Sequence, residues 1–246
     1  MSTKNINSMR HAGKILSNTF DYVSEIIQEG MTAFQLDLDI KSFIESHNAT
    51  PGFLGYQGYK YSSCISKNEE IVHGIPHPDK LFFDGDIVSI DIGVKYDGHY
   101  ADAARTFLIG NVSDEHRHLA KITEESFFKG IENIKAGSRL GDLSNQMQTY
   151  IEANGLTVVR DLYSHGVGQS LHEEPLIPNY GKKGAGMVLY NGMTMAIEPM
   201  VNIGAAGIET LDDQWTIVTQ DRKFSAHYEN TILVTNDGVE ILTICG

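Results

Sequence analysis

Apolar residues recur at spacings of three and four near the start of the chain, a pattern that predicts an amphipathic helix packed against a core. This helix is expected to end near Gly30, a residue type that suits a helix C-cap. Thr32 suits the N-cap of a second helix that runs to about His47. The predicted buried face of the first helix consists of Met9, Ala12, Leu16, Phe20, Val23 and Ile27.

The same pattern returns 107 residues later without gaps. Residues 10–15, RHAGKI, match residues 117–122, RHLAKI, and Gly30 falls on Gly137. Helices are therefore expected over about 113–136 and 139–154. No Pro-rich or Ser-rich linker divides the chain. We predict one catalytic domain with two pseudo-symmetric halves, approximately 5–110 and 112–243, that share one sheet and one core.

Strands are predicted after each helix pair. Residues 86–95 and 100–109 flank Asp97-Gly98, and Asp-Gly between two β-rich runs is a strong signal for a two-residue hairpin. Residues 192–203 and 227–235 predict a second pair of strands in the other half.

Charge and composition narrow the classes of partner. The 246 residues carry a formal net charge of −13, and an acidic surface repels phosphate backbones, so no nucleic-acid partner is expected. No run of 18 apolar residues and no signal peptide are present, which predicts a cytoplasmic protein without a membrane partner. Cys64 and Cys245 are interpreted as reduced thiols.

Acidic residues occur within these apolar strands. A turn at Asp97-Gly98 places Gly93 opposite Asp102, so Asp91 and Asp102 share a face as diagonal neighbours roughly 7–8 Å apart. The duplication carries Asp91 onto Glu198, and Glu229 lies in the following strand. Like charges this close need a cation or a proton. Four carboxylates meeting at the pseudo-twofold axis predict a site for two divalent ions such as Mn, Fe, Co or Zn.

One glycine-rich segment, residues 164–175 with the sequence SHGVGQSLHEEP, adds two histidines to these acids. With them the chain closely resembles type I methionine aminopeptidases, from about Asn5 to Thr243. The resemblance also rests on order and spacing in residues 68–76, on residues 197–200 with the sequence IEPM, on Trp215-Thr216 and on Tyr228-Glu229. It implies an α+β, pita-bread (creatinase/aminopeptidase) fold, internally duplicated, with a curved, mostly antiparallel sheet and helices on its outer face.

The resemblance implies a metalloaminopeptidase that hydrolytically removes the N-terminal methionine from nascent proteins and peptides, preferring a small second residue. Asp102 and Glu229 would bridge the two ions, Asp91 would complete one site, and His165 and Glu198 the other. A bridging hydroxide would attack the scissile carbonyl. Glu198 would shuttle the proton, His172 would stabilise the oxyanion, and His73 would contact the substrate beyond the cleaved bond.

A methionine side chain requires an apolar, polarisable pocket. The residues that match the family's pocket are Phe53, Tyr56, Tyr59, Cys64, Leu171 and Trp215. The chain also departs from the family's pattern. Leu171 stands where an aromatic residue is frequent, Phe53 where a smaller one is common, Ala104 where Ser or Thr is common, and Asn230 where a histidine is usual.

Two alternatives remain open at this stage. One is an X-Pro aminopeptidase or dipeptidase of the same fold, and the other is a non-catalytic peptide-binding protein, although all five ligand positions are filled. A monomer with no more than transient ribosome proximity is expected. His116 and His118 are interpreted as solvated residues and His77 and His99 as turn residues, none with a role.

Overall fold

The computed structural model describes residues 3–244, with side chains from residue 5 onward, so Cys245 lies outside the described residues. The four described α-helices are α1 (Thr3–Ile26), α2 (Ala33–Ser46), α3 (Asp114–Ile131) and α4 (Leu140–Ala153). The described strands are β1 (Thr50–Pro51), β2 (Ser63–Lys67), β3 (Glu70–Val72), β4 (Ile87–Tyr96), β5 (His99–Leu108), β6 (Thr157–Val158), β7 (Tyr163–Gly166), β8 (Glu173–Pro178), β9 (Thr194–Ile197), β10 (Met200–Asn202), β11 (Ile208–Thr210), β12 (Ile217–Thr219), β13 (Ser225–His227), β14 (Glu229–Val234) and β15 (Val239–Ile241).

The helix boundaries follow from local capping. The Thr32 side chain accepts a hydrogen bond from the Gln35 amide at 3.1 Å, so the predicted N-cap of α2 is confirmed. The expected end of α1 near Gly30 was wrong, because the helix ends at Ile26. Gly30 and Gly137 have φ of 81° and 96°, values that favour glycine, but each lies in the loop beyond the preceding helix. The expected end of α3 near residue 136 was wrong. This helix ends at Ile131 because Asn133 turns the chain with φ of 63°.

Nine strands form the main sheet, in the order β1-β4-β5-β14-β9-β7-β8, with β2 also paired to β4 and β15 to β14. Every strand pair recorded between residues 3 and 244 is antiparallel. The predicted hairpin register is confirmed, since Gly93 opposes Asp102 around a turn at Asp97-Gly98. His99 opposes Tyr96 as the first residue of β5 and is only 7% exposed, which corrects its assignment to a turn.

The second predicted strand pair is interrupted in both of its members. Pro199 has no N–H to donate, and the run over residues 192–203 divides into β9 in the main sheet and β10 in a small sheet with β13 and β6. The run over 227–235 divides at Tyr228 into β13 and β14. Each interruption stands beside an acidic residue, Glu198 or Glu229, so both acids lie where the chain passes from one sheet to the other.

The two faces of the main sheet differ in chemistry. On the outer face, Ile90, Ile92 and Ala103 pack with the buried faces of α1 and α2 in one apolar cluster. Residues of α3 and α4 pack with β9 and β14 in a second cluster that includes Ile197 and Ile232. The acidic side chains are thereby left to the inner face. Between residues 3 and 244 no helix is long and apolar enough to cross a membrane.

The order of the central strands is symmetric. β4 and β5, which follow the first helix pair, lie beside β14 and β9, which follow the second pair, and the two inner strands β5 and β14 are neighbours. A duplicated helix-pair and strand-pair unit would produce this order. We propose on this ground that the halves at about 5–110 and 112–243 are related by a pseudo-twofold axis between β5 and β14.

Candidate metal centre

Three adjacent strands bring acidic residues together at the centre of the inner face. Asp91 on β4 and Glu229 on β14 both lie opposite Ala104 of the intervening β5. Asp102 is two residues from Ala104 and therefore faces the same side. Because the side chain of Ala104 is small, it leaves space between the carboxylates of Asp91 and Glu229.

Glu198 joins this group from the break that follows β9. Its backbone N–H donates to the Ser164 hydroxyl at 2.9 Å, and its carbonyl accepts from the Asn179 side chain at 2.9 Å. The Ser164 hydroxyl in turn donates to Asn179 at 2.7 Å. The buried side chains of Ser164 and Asn179 thus supply hydrogen bonds to the backbone of Glu198 where the strand is interrupted, and they fix the position of this residue.

His165 has its tautomer set by the backbone. Its Nδ1 lies 2.9 Å from the Gly166 carbonyl oxygen, which can only accept, so Nδ1 carries the proton. The unprotonated Nε2 then faces Glu198 at 3.4 Å and Asp102 at 3.9 Å. A lone pair directed at carboxylates is repulsive unless a proton or a metal cation lies between them, and neutral imidazole with hydrogen-bonded Nδ1 is the usual form of a metal ligand.

Burial shifts the protonation of all these groups in the absence of a cation. Burial, followed by the charges of Asp91 and Glu198, raises the pKa of Asp102 well above its ordinary value. Burial is also the largest cause that raises the pKa of Asp91, of Glu198 and of Glu229. Burial and the charge of His172 lower the pKa of His165 to about 4. The site is therefore a set of neutral imidazoles around acids that need protons or metal ions to share the space.

Orphaned atoms indicate that metal ions fit this site. Asp91 Oδ1, Asp102 Oδ1 and Glu229 Oε1 are buried and make no hydrogen bond within the described residues. Buried polar atoms are rarely left without a partner. Two triads of donor atoms each lie within 4.8 Å of one another, and Glu229 belongs to both; they are Asp91-His227-Glu229 and Asp102-His165-Glu229. The donor set fits two adjacent divalent cations.

A cavity of about 220 Å³ opens onto these acids. All thirteen site residues predicted from the sequence line it: Phe53, Tyr56, Tyr59, Cys64, His73, Asp91, Asp102, His165, Leu171, His172, Glu198, Trp215 and Glu229. The apolar members form one cluster in which the rings of Tyr59 and Trp215 lie 4.9 Å apart. The cavity is thus polar at the acids and apolar beside them.

Two further histidines lie around the cavity. His172 is exposed, and its Nδ1 lies 2.8 Å from the Tyr56 hydroxyl. Its ring centroid is 4.2 Å from that of His165. His73 has φ of 58°, an uncommon conformation that orients it towards the same cavity. Burial and the charge of His172 lower the pKa of His73 to about 4.

Sequence reasoning missed two residues of the site. Gln57 lines the cavity next to Tyr56. His227 is 1% exposed and lies below the acids, with Nε2 3.6 Å from both Glu198 and Glu229. The available signal was strand periodicity, because a residue two positions before Glu229 shares its face. His116 was also misinterpreted as solvated, since its half-buried ring stacks on Phe224 at 4.0 Å.

Comparison with known proteins places this site in a family. The model of metallopeptidase family M24 matches residues 7–236. A methionine aminopeptidase of Clostridium perfringens is 52% identical over 97% of this chain and 96% of its own. The crystal structure of a methionine aminopeptidase from Thermotoga maritima is 44% identical, with a TM-score of 0.98 over 100% of this chain and 98% of that one. Prolidase from Pyrococcus furiosus, 23% identical with a TM-score of 0.79, covers 100% of this chain with 65% of its own and is similar in fold alone. The predicted pita-bread fold is confirmed.

Proposed function

The chain belongs to metallopeptidase family M24, and from this premise we infer that it is a methionine aminopeptidase, which hydrolyses the peptide bond after an N-terminal methionine. The observation that carries this inference is the meeting of four carboxylates and His165 at the end of one apolar cavity. The X-Pro alternative is not favoured, because prolidases resemble the chain in fold alone. A non-catalytic binding role is not favoured either, because all five ligand positions are filled.

We propose that the metal ligands are Asp91, Asp102, His165, Glu198 and Glu229, and that they hold two divalent ions. Glu229 belongs to both donor triads and would help to hold both ions, while Asp102, which lies 3.9 Å from His165, would hold an ion together with that histidine. Bound divalent ions would lower the pKa of water and polarise the scissile carbonyl group.

The chain's own residues would orient the substrate and move its protons. Glu198 lies 3.4 Å from His165 and lines the cavity, so its carboxylate is placed to accept a proton from the attacking water and pass it to the leaving amine. The hydrogen bond with Tyr56 engages Nδ1 of His172, which leaves Nε2 to donate to the substrate carbonyl oxygen. His73 would contact the residue after the cleaved bond.

The apolar cluster supplies the methionine pocket of the proposal. Tyr59 is 3% exposed, Cys64 6% and Leu171 1%, and with Phe53, Tyr56 and Trp215 they form an apolar end of the cavity next to the acids. A thioether gains contact with aromatic ring edges in such surroundings. A preference for a small second residue is part of this proposal and rests on the resemblance to the family.

A reconstituted assay tests the function. Protein stripped of metal with a chelator is reloaded with Co, Mn, Fe or Zn, and release of methionine from Met-Ala, Met-Gly and Met-Leu peptides is measured beside an X-Pro peptide. We expect turnover of the first two peptides with at least one metal, none without metal, and about two ions per chain. Cleavage of the X-Pro peptide alone, or of no peptide with any of the four metals, would contradict the assignment.

A further inference from the structure

His227 is a buried imidazole that is not among the five proposed metal ligands and has no assigned role. Its backbone is held between two strands of the main sheet, because its N–H lies 3.2 Å from the hydroxyls of both Ser89 and Thr106. Its carbonyl accepts a hydrogen bond from Thr106 at 2.8 Å. The end of β13 is therefore fixed, and its main-chain hydrogen bonds hold the ring beside Glu198 and Glu229.

The ring nitrogen of His227 that faces the acids lacks a hydrogen bond. Nε2 is buried without a partner in the described residues and lies 3.6 Å from Glu198 Oε2 and 3.6 Å from Glu229 Oε2. These separations are too long for hydrogen bonds. Two donor atoms that each lie about 2.0–2.2 Å from a shared ion can be no more than about 4.4 Å apart. The separations therefore suit a shared cation.

The donor triads assign a place to the His227 imidazole. Asp102, His165 and Glu229 form one triad with an imidazole, and Asp91, His227 and Glu229 form the other. We propose that His227 is a sixth ligand of the metal centre, which gives the ion held by Asp91 an imidazole nitrogen, as His165 gives one to the neighbouring ion. This inference rests on the proposed metal-dependent function.

An added imidazole changes what the Asp91 position prefers to bind. Carboxylate oxygens alone suit hard ions such as Mn²⁺ and Mg²⁺, whereas imidazole nitrogen suits Zn²⁺, Fe²⁺ and similar ions. With His227 as a ligand, both positions of the centre have mixed oxygen and nitrogen donors. We therefore expect the chain to discriminate against Mg²⁺ at both positions and to hold Co²⁺ or Zn²⁺ at both.

His227→Gln tests the proposal, with His99→Gln as the matched control. His99 is also a buried imidazole with an unpartnered Nε2 among the described residues, but it lies outside both triads. Calorimetric titration of the metal-free proteins with Co²⁺ measures affinity, and X-ray absorption of the loaded proteins counts bound imidazoles. We expect two imidazoles per wild-type centre, one in His227→Gln, and affinity for one Co²⁺ weakened at least about 10-fold.

The outcomes separate this inference from the proposed function. His99→Gln should keep two bound imidazoles and wild-type affinity. A wild-type centre with one imidazole, or a His227→Gln variant with unchanged Co²⁺ affinity, would overturn the role of His227 while leaving the aminopeptidase assignment intact. A wild-type protein that binds no Co²⁺ would overturn both. If His227→Gln does not fold, the imidazole count of the wild-type centre alone decides.

Discussion

Gly166 is the residue through which the backbone controls the orientation of His165, and Gly166→Ala tests that dependence. A Cβ at this position would lie 2.4 Å from the Glu174 carbonyl oxygen and 2.9 Å from its carbonyl carbon. Both atoms belong to the backbone of β8, so no side-chain rotation can relieve the contact. Ordinary contact begins near 3.4 Å, and β7 and β8 must therefore separate by about 1 Å at this point.

The cost of that separation follows from overpacking a dense interior, which is typically about 1–3 kcal/mol. For a domain of this length each kcal/mol lowers Tm by roughly 2–4 °C, so we expect a decrease of about 2–12 °C in the metal-free protein. The displaced Gly166 carbonyl also weakens the hydrogen bond that keeps the proton on Nδ1 of His165. Loss of such a partner typically lowers metal affinity by about 10–100-fold.

Differential scanning calorimetry and Co²⁺ titration measure the two effects of Gly166→Ala. Gly238→Ala is the control, because a Cβ there meets no atom within 4 Å and its φ is not positive. This control should change stability by no more than about 1 kcal/mol and leave metal affinity unchanged. A Gly166→Ala protein with wild-type Tm and wild-type Co²⁺ affinity would refute the reasoning that close contact of β7 and β8 positions His165.

Three further predictions concern the same cavity. Asp102→Ala should lower metal affinity and kcat/KM by more than about 100-fold, and retention of either value in titrations and peptide assays would contradict its role as a ligand. Tyr56→Phe removes the hydroxyl bonded to Nδ1 of His172 and should lower kcat about 2–12-fold, the equivalent of one neutral hydrogen bond, with KM nearly unchanged in steady-state kinetics. The raised pKa of Asp91 means that the metal-free protein loses stability as the pH rises and this buried group loses its proton, whereas in the loaded protein the bound ions replace that proton. The difference in Tm between loaded and metal-free protein should therefore widen from pH 5.5 to 8. A constant difference would exclude this linkage.

The parts of the site that local patterns encode could be predicted from the sequence. Asp97-Gly98 determined the hairpin register, and the register determined that Asp91 and Asp102 share a face. The repeat then carried Asp91 onto Glu198. Glu229 could be assigned only because it lies in the next apolar run. The two-residue turn between β4 and β5 fixes the register of Asp91 and Asp102, but 30 residues separate Glu198 from Glu229, and so long a connection fixes no register.

The parts that depend on contacts between distant segments could not be predicted. The sequence pattern of residues 192–203 reads as one strand, and only the pairing partners of β9 and β10 reveal that the two belong to different sheets. His227 was missed for the same reason. Its alternation with Glu229 was visible, but its approach to Glu198, 29 residues away in the chain, depends on how β13 packs beneath β4 and β5.

The departures from the family's pattern are interpretable once their neighbours are known. Asn230 lies on the outer face, where its side-chain oxygen accepts from Arg105 at 2.7 Å, so it does not enter the metal centre. The larger ring at Phe53 fits because Gly93 has no side chain; a Cβ there would lie 2.7 Å from the ring. Leu171, smaller than the aromatic residue frequent at its position, belongs to the same cluster as Phe53. One change adds volume and the other removes it, and interiors tolerate substitutions that conserve total volume. The two departures therefore change the shape of the proposed methionine pocket in opposite directions of volume, and the ring at Phe53 makes Gly93 a requirement of this chain's cavity.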